Sequence, residues 1–398
     1  MVAPTAFVTI CSNNYLAQAE VFFASARAHH PEAALVLGLA DRRDPALPYP
    51  EGVEVLPAEA LGIADFSSFA FSYDVTEFNT AIKPFLMLRL LERGHRTVVY
   101  FDPDIELFRR LDDLLALLAG GASFVLTPHF CAPPTAAAPR TERHVMLTGV
   151  YNLGFIAAAQ TPETEPVLRW WARMLRHGCV NEQERGLFVD QKYMDLLPGL
   201  AAGARVLRDT GFNVAYWNLD RRRVTEGPGG GWLVDGRPLG FFHFSGFVPE
   251  RPAEVSKYTP EPPATGALAG LLAGHAARRR AAAARLGPAR GAYAYGRFHS
   301  GIAIPDMVRH MFRDKHLTWS GDPFAGYERY SRLPHPACRT GASGEIVTNL
   351  MHHRHARDPA LRFAFHLDNA FEVTAYARFF ARAAAAEGVD DSLWRAAA

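Results

Sequence analysis

Two carboxylates lie one residue apart at the end of an apolar run. Asp102-Pro103-Asp104 follows residues 97–101, whose β-branched and aromatic side chains predict a buried strand. Open α/β sheets bind ligands at the carboxyl ends of their strands. Two carboxylates there are costly to desolvate unless water or a cation compensates them, so the pattern favours a divalent-cation site. A helix cap or a proline-initiated turn explains an isolated Asp-Pro-Asp equally well.

A histidine and a lysine elsewhere in the chain have chemistry that fits such a site. His243 stands in the apolar run 241–244 just before a turn, where it is either a buried core residue or the third protein ligand of Mn²⁺ or Mg²⁺. Lys83 precedes Pro84 in an otherwise apolar helix. An early helical position favours binding of an anion, while the alternative is a lysine that extends to solvent.

Further polar segments follow predicted strands. The loop after the first strand carries hydroxyl, amide and aromatic groups suited to a ribose and a uracil-like base. These residues are Thr9, Ser12, Asn13, Asn14 and Tyr15. The loop lacks the glycine patterns of dinucleotide-binding and P-loop sites, which are therefore disfavoured. Asn152, Asp190 and Gln191 could bond sugar hydroxyls, since each hydroxyl both donates and accepts, but a turn amide and a helix cap are equally compatible.

The first half of the chain alternates strand-like and helix-like segments, which predicts the α/β class with a mostly parallel sheet and helices on both faces. Strands are predicted at 6–11, 34–40, 53–56, 97–101, 123–126 and 151–156, and helices at 16–29, 79–93, 111–119 and 163–177. Another short helix is predicted to start near 188–191. We expect a catalytic domain over 1–258, a linker and Ala/Arg-rich helix over 259–292, and a helical region over 293–398. The basic face of that helix predicts a solvated surface, with a phosphate-binding arginine cluster as the alternative.

Composition excludes several classes of protein. The 398 residues carry a net charge of only +1, which argues against a nucleic-acid binder with a broad basic surface. The four cysteines show no C-x-x-C pairing, which fits a reducing cytoplasm. No run approaches a membrane span or a secretory signal, so a cytoplasmic protein is expected, with peripheral membrane contact still open. The Ala- and Arg-rich composition suggests a GC-rich bacterial source.

The ordered set of segments resembles the GT-A fold glycosyltransferases, in particular the glycogenin and lipopolysaccharide galactosyltransferase group (family 8-like). The resemblance covers roughly residues 5–255 and rests on the Thr9 to Tyr15 loop, Lys83, V-V-Y-F-D-P-D at 98–104, Y-N-L-G-F at 151–155, V-D-Q at 189–191 and H-F-S-G at 243–246. It implies a retaining, metal-dependent transfer of sugar from a nucleotide donor, most simply a UDP-sugar. The acceptor would be a saccharide, a lipid-linked saccharide or a protein, for example in bacterial surface glycan synthesis.

The resemblance also implies residue roles. Asp102, Asp104 and His243 would bind the cation, with Asp102 also touching the ribose. The nucleotide would be lined by Thr9, Ser12, Asn13, Asn14, Tyr15, Lys83 and Gly246, and Asn152, Asp190 and Gln191 would meet the donor sugar or the reaction centre. The family's H-F-x-G-x-x-K-P-W ending is altered here, because residues 247–252 lack the lysine that would hold the diphosphate. Arg251 or Lys257 would have to replace it.

Two other functions compete with this interpretation. A sugar-1-phosphate nucleotidyltransferase also uses carboxylate-bound Mg²⁺, but it would normally show a Gly-rich basic loop after the first strand, where this chain has Cys11 to Tyr15. A catalytically silent scaffold with the same fold is the second. It is disfavoured because both aspartates and His243 are present together.

Overall fold

The computed structural model describes residues 4–138, 140–259, 263–287, 293–315 and 319–396. The chain divides into two compact units. The first contains Met1–Ile63 and Thr76–Gly291, and the second contains Ala64–Val75 and Ala292–Ala398. The prolines expected to form a linker at 260–262 lie outside the described residues.

The regular elements are numbered in chain order. The strands are Thr5–Cys11 (β1), Ala34–Leu39 (β2), Glu54–Pro57 (β3), Thr97–Phe101 (β4), Ile105–Leu107 (β5), Phe124–Pro128 (β6), Tyr151–Ala159 (β7), Asn181–Glu182 (β8), Leu187–Phe188 (β9), Ala204–Val206 (β10), Val224–Glu226 (β11), Trp232–Val234 (β12), Arg237–Pro238 (β13) and Phe241–His243 (β14). The α-helices are Leu16–His29 (α1), Phe66–Phe71 (α2), Val75–Ala81 (α3), Lys83–Glu92 (α4), Asp112–Ala119 (α5), Glu142–Thr148 (α6), Thr164–Gly178 (α7), Leu197–Leu200 (α8), Gly266–Leu286 (α9), Asp306–Lys315 (α10), Pro323–Ser331 (α11), Asn349–Arg357 (α12), Pro359–Ala364 (α13) and Ala370–Ala386 (α14).

The first unit is built on a seven-stranded sheet in the order β10-β6-β7-β4-β1-β2-β3. Only β7 runs antiparallel to its neighbours β4 and β6, so the predicted α/β class with a mostly parallel sheet is confirmed. The predicted strands and three of the predicted helices begin within one residue of the expected positions. A short ladder of β5 with β14 continues from the end of β4 and pairs Ile105 with His243. This ladder brings two distant parts of the chain together.

Aromatic side chains fill the space between the sheet and the helices on one face. Phe101 of β4 has its ring centroid 5.5 Å from Phe7, 5.3 Å from Phe22 and 5.4 Å from Phe155. These four side chains are almost fully buried. Tilted aromatic contacts of this kind add roughly 0.5–1.5 kcal/mol per pair beyond the burial of apolar area. They fix the strand that delivers Asp102.

Two expected helices differ in the structure. The helix predicted over 79–93 is two helices, α3 and α4, separated at Ile82. Pro84 lies in the first turn of α4, where its missing N–H costs nothing, but it cannot continue a preceding helix. The short helix predicted to start near 188–191 begins one residue later, as a 3₁₀ helix over Lys192–Leu196 that continues into α8. Asp190 and Gln191 therefore lie in the connection, after Val189 with a strained φ of +40°.

The second unit is helical, which confirms the helical C-terminal region. The ring of Phe71 in α2 packs against Phe312, Phe324 and Tyr327 at centroid distances of 4.9, 5.1 and 5.5 Å. The buried Arg309 donates to the Phe71 carbonyl at 2.7 Å. The excursion 64–75 is thus held by both apolar packing and hydrogen bonding to the C-terminal helices. Among the described residues, none of the helices has the length and apolarity to cross a bilayer.

Candidate metal and donor site

Asp102, Asp104 and His243 converge where β4 ends. Nε2 of His243 lies 3.1 Å from Oδ1 of Asp104 and 3.7 Å from Oδ2 of Asp102. One potential ligand atom from each residue lies within 4.8 Å of the others. The β5–β14 ladder produces this arrangement, because His243 pairs with the residue that follows Asp104. The predicted metal ligands are therefore adjacent in space.

Asn152 lies behind His243 and orients its ring. Its Oδ1 is 3.1 Å from Nδ1 of His243 and accepts a hydrogen bond from Nδ2 of Asn213 at 3.0 Å. Asn213 also donates to the Thr127 hydroxyl at 2.8 Å. If Nδ1 carries the proton donated to Asn152, Nε2 presents its lone pair toward the two aspartates. The amide oxygen of Asn152, expected to meet the donor sugar, is engaged by these two partners.

Gly154 provides the space for the His243 ring. A Cβ atom at this position would lie 2.3 Å from Cε1 and 2.7 Å from Nδ1 of His243, and 2.9 Å from Oδ1 of Asn152. Real Cβ atoms do not make contacts this short. The glycine of the Y-N-L-G-F segment is therefore required by the close approach of the histidine.

The charges of the triad are coupled. Burial alone would lower the pKa of His243, but the Asp104 and Asp102 carboxylates outweigh it and raise the pKa. Burial would likewise raise the pKa of Asp104, but the His243 imidazole outweighs it and the pKa is lowered. Two carboxylates and one imidazole are a suitable donor set for Mn²⁺ or Mg²⁺, since both accept oxygen ligands and Mn²⁺ also accepts nitrogen.

A buried ion pair lies next to the triad. Nζ of Lys83 is 2.6 Å from Oδ2 of Asp190, and the two side chains are 1% and 2% exposed. Nζ also donates to the Leu153 carbonyl at 2.7 Å and lies 4.2 Å from the Tyr100 ring centroid. Burial raises the pKa of Asp190, against the opposing effect of Lys83. The solvent-extended alternative for Lys83 is thus wrong, because the helix faces the sheet edge and Asp190 compensates the charge.

Tyr100 links this pair to the aspartates. Its hydroxyl donates to Oδ1 of Asp102 at 2.6 Å, while its ring packs against the Lys83 ammonium group. Sequence analysis did not single out Tyr100. Its position two residues before Asp102 on one strand, and therefore on the same face, was the available signal.

Gln191 is held by the backbone at the start of β7. Its Oε1 accepts from the Leu153 amide at 3.0 Å, and its Nε2 donates to the Thr148 carbonyl at 2.9 Å. Leu153 consequently bonds Gln191 through its N–H and Lys83 through its carbonyl. Leu153 thus links Gln191 to Lys83 and, through Lys83, to Asp190.

The loop after β1 is stabilised by residues that sequence analysis missed. The Tyr49 hydroxyl donates to Oδ1 of Asn13 at 2.8 Å, and the Asn13 amide donates to Asp41 at 3.3 Å. Ser12 donates to Oδ1 of Asn14 at 2.7 Å. Tyr15 remains 43% exposed, whereas Thr9 is fully buried in β1. Ser12 to Tyr15 therefore follow a central strand at the same sheet edge as the end of β4.

Helix α9 packs beside this site and not entirely against solvent. Glu106, two residues after Asp104, contacts Nδ1 of His275 at 2.7 Å and Nε of Arg278 at 2.6 Å. The next residue, Arg279, is half-buried and interacts electrostatically with Asp104 and Tyr15. Its Nε is buried and lacks a hydrogen-bond partner among the described residues. Arg278, Arg280 and Arg285 are exposed, in line with the predicted solvated face, while Arg279 is half-buried on the side of α9 that Glu106 contacts.

The two residues expected to replace the missing lysine have contacts of their own. Arg251 is 53% exposed and pairs with Glu254 at 2.8 Å. Nζ of Lys257 lies 5.2 Å from the Tyr258 ring centroid. Gly246, expected to line the nucleotide, has a φ of +71°, and a Cβ there would lie 2.6 Å from both Ser256 and Tyr258. The glycine lets this segment return across the end of β14.

Comparison with known proteins gives distant similarities. No family model matches the chain. Two uncharacterized Bacillus subtilis proteins match: YfnD is 28% identical over 175 residues, and YfnF is 27% identical over 183 residues. These matches cover 43% and 44% of this chain, and the chain spans just over half of each relative, 54% and 58%.

Similar solved structures include the galactosyltransferase LgtC with donor and acceptor sugar analogs, at 16% identity and a TM-score of 0.39, covering 68% of this chain and 95% of that one. The glycosyltransferase GlyE of Streptococcus pneumoniae has 13% identity and a TM-score of 0.41, with coverages of 73% and 66%. Mouse xyloside xylosyltransferase 1 has 13% identity and a TM-score of 0.38, with coverages of 60% and 97%. All three are sugar transferases by name, the class that the sequence motifs resemble. Similarity at these values assigns no activity to this chain.

Proposed function

We propose that the chain is a metal-dependent glycosyltransferase that takes a sugar from a nucleoside-diphosphate donor, most simply a UDP-sugar. The acceptor would be a saccharide, lipid-linked saccharide or protein. The observation that carries the proposal is the convergence of Asp102, Asp104 and His243 beside the buried Lys83–Asp190 pair. Three protein ligands leave coordination positions for diphosphate oxygens.

The reaction requires charge stabilisation on the leaving group. A divalent cation held by Asp102, Asp104 and His243 would act as a Lewis acid toward the diphosphate. The protein's own part is to keep those ligands in place. Tyr100 holds Asp102 by a 2.6 Å hydrogen bond, and Asn152 holds His243 at 3.1 Å.

The sugar side of the site requires groups that stabilise positive charge. Breaking the glycosidic bond gives an oxocarbenium-like transition state, which a nearby carboxylate or amide oxygen stabilises. We assign this position to Asp190 or Gln191: Gln191 accepts from the Leu153 amide, and Asp190 is linked to the Leu153 carbonyl through Lys83. A retaining outcome follows from the family resemblance. If Asp190→Asn and Gln191→Ala both kept wild-type turnover with the matching donor and acceptor, this assignment would be wrong.

Arg279 is our candidate for the diphosphate contact that the missing lysine would have made. It is half-buried, stands near Asp104 and Tyr15, and has an Nε without a partner among the described residues. A guanidinium suits paired phosphate oxygens because it donates two parallel hydrogen bonds. Arg279→Ala should weaken Mn²⁺-dependent UDP binding by about tenfold, or ~1.4 kcal/mol. Arg280→Ala is the matched control, since Arg280 is exposed on the same helix and donates to the Pro249 carbonyl at 2.7 Å. Equal losses of UDP affinity in the two variants would mean that Arg279 does not contact the diphosphate.

Donor hydrolysis is the direct test of the reaction class. Nucleotide release should be measured for UDP-, GDP- and TDP-sugars with Mn²⁺, for the wild type and for Asp104→Asn. We expect release from one donor class and its loss in the variant. Release of pyrophosphate from a nucleoside triphosphate and sugar 1-phosphate would instead indicate a nucleotidyltransferase. Absence of release from all donors by folded protein would favour a silent scaffold.

A further inference from the structure

The helical second unit contains a separate cluster of metal-binding side chains. One ligand atom from each of His335, Cys338 and His352 lies within 4.8 Å of the others. Sγ of Cys338 is 3.7 Å from Nδ1 of His335, and the His335 and His352 ring centroids are 3.5 Å apart. All three side chains are partly exposed, so an ion could reach them from solvent.

Two chain segments bring the cluster together. Pro334 forms an isolated antiparallel bridge with Thr348, and the His335 amide donates to the Val347 carbonyl at 2.9 Å. A turn then returns Cys338, whose amide donates to the His335 carbonyl at 3.1 Å. His352 projects from α12, which begins directly after Thr348. The backbone therefore fixes the spacing of all three residues.

We propose that His335, Cys338 and His352 form a binding site for a zinc-type transition-metal ion, with a fourth position open to water or another ligand. One thiolate and two imidazoles are the donors that Zn²⁺ prefers, whereas Mg²⁺ prefers oxygen. In a zinc site the Zn–S bond is about 2.3 Å and the Zn–N bond about 2.0–2.1 Å long. At a tetrahedral angle these bonds place the sulfur and nitrogen atoms about 3.6 Å apart. The observed 3.7 Å between Sγ and Nδ1 matches this spacing.

Protonation also suits metal binding. Nδ1 of His335 accepts a hydrogen bond from the Ala337 amide at 3.3 Å, so this nitrogen carries a lone pair, which a metal ion would take over from that amide. Binding converts the Cys338 thiol to a metal-bound thiolate and releases one proton to solvent. The two imidazole planes lie within 6° of parallel, so one ring would have to rotate for both lone pairs to meet the ion.

The site is chemically distinct from the aspartate site in the first unit and does not depend on the proposed transferase activity. It would tie the 335–338 turn to α12 and stabilise this region when metal is bound. Its thiolate would give a charge-transfer absorption band with cobalt(II), which the site of two carboxylates and one histidine cannot give.

Cobalt(II) titration of chelator-treated, full-length protein tests the proposal. Wild type should develop a near-ultraviolet thiolate-to-cobalt absorption band together with visible bands of tetrahedral cobalt, and Zn²⁺ should displace both. Cys338→Ser should lose the thiolate band, and His352→Ala should weaken cobalt binding at least tenfold. Cys131→Ser is the matched control, because Cys131 is also a partly exposed free cysteine and should leave the spectrum unchanged.

A second readout separates a lost site from a misfolded variant. In an Asp104→Asn background, Zn²⁺ should raise the melting temperature of the protein, and Cys338→Ser should abolish that shift while keeping the wild-type circular dichroism without metal. The proposal is overturned if wild type shows no thiolate band, or if Cys338→Ser retains it.

Discussion

The position of His243 depends on a residue without a side chain. Gly154 leaves the volume that the imidazole occupies, and Asn152 on the same strand orients the ring. Gly154→Ala should displace His243, weaken Mn²⁺ binding by at least tenfold and lower stability by about 1–3 kcal/mol through overpacking. Calorimetric Mn²⁺ titration and urea unfolding measure the two effects.

The control for this glycine is Gly199→Ala, since a Cβ at position 199 meets nothing within 4 Å. This variant should bind Mn²⁺ as the wild type does and unfold at the same or slightly higher urea concentration. Wild-type Mn²⁺ affinity in Gly154→Ala would show that the close approach is unimportant to the site.

The unfolding free energy is expected to depend on the buried ion pair of Lys83 and Asp190. Lys83→Met or Asp190→Asn leaves one charge buried without its counter-ion, which typically costs about 3–5 kcal/mol of unfolding free energy. The double variant removes both charges, so its cost should be smaller than the sum of the single costs by more than 1 kcal/mol. Urea unfolding of all four proteins gives the coupling. Additive costs would mean that the 2.6 Å contact contributes little.

The sequence could identify residues whose own type indicates a function, but not residues whose role depends on contacts with distant parts of the chain. Asp102, Asp104 and His243 were predicted because carboxylate and imidazole groups are typical metal ligands. The Lys83–Asp190 pair was not, because neither residue's local pattern reveals a partner so far along the chain. Arg279 looked like any arginine of a basic helix. The Glu106 contacts to its neighbours, together with the buried Leu271, Leu272 and Ala276, show which side of that helix is turned inward.

At the scale of elements, an ion-pair cluster joins α10 to α12 in the second unit. Oδ2 of Asp314 lies 2.9 Å from Nε2 of His353 and 2.9 Å from Nη1 of Arg357. Burial by itself would raise the pKa of Asp314. His353 and Arg357 outweigh this effect and lower the pKa from 3.8 to about 2. A carboxylate with a lowered folded-state pKa stabilises the fold above its unfolded pKa and loses that contribution as pH falls through the folded value.

Asp314→Asn should therefore reduce the unfolding free energy at pH 7 by about 1 kcal/mol, allowing for solvent screening of this partly exposed group. The difference from wild type should persist down to about pH 4 and shrink as pH falls toward 2. Urea unfolding across this range measures it. Asp368→Asn, at an exposed position of the same unit, should show no comparable pH-dependent difference. A pH-independent effect of Asp314→Asn would contradict the ion-pair account.

Elements with a strong local pattern were predictable and elements defined by distant contacts were not. The apolar run 97–101 and the periodic segment 16–29 gave strand β4 and helix α1 with their observed bounds. The prediction of a single helix over 79–93 was wrong. The apolar periodicity of the sequence continues across Ile82, whereas the helix is interrupted there. The short helix predicted to start near 188–191 begins only at Lys192, because Val189 adopts a positive φ that sequence does not favour.

At the scale of the whole molecule, alternation of strands and helices predicted the sheet class but not its one antiparallel strand. β7 returns between β4 and β6, and this reversal places the start of Y-N-L-G-F at the edge where Asp102 emerges. Nor did any pattern indicate that 64–75 would join the C-terminal helices. Both depend on contacts between distant segments, which local propensity does not encode.

The central claim is that Asp102, Asp104 and His243 bind a cation that in turn holds a nucleoside diphosphate. Calorimetric titration of UDP, with Mn²⁺ or with chelator, tests it in the wild type, in Asp104→Asn and in the control Asp113→Asn, an exposed aspartate paired with Arg109 at 2.9 Å. We predict Mn²⁺-dependent binding that weakens at least tenfold in Asp104→Asn, about 1.4 kcal/mol, and is unchanged in Asp113→Asn. UDP binding of equal strength in chelator, or undiminished in Asp104→Asn, would contradict the account.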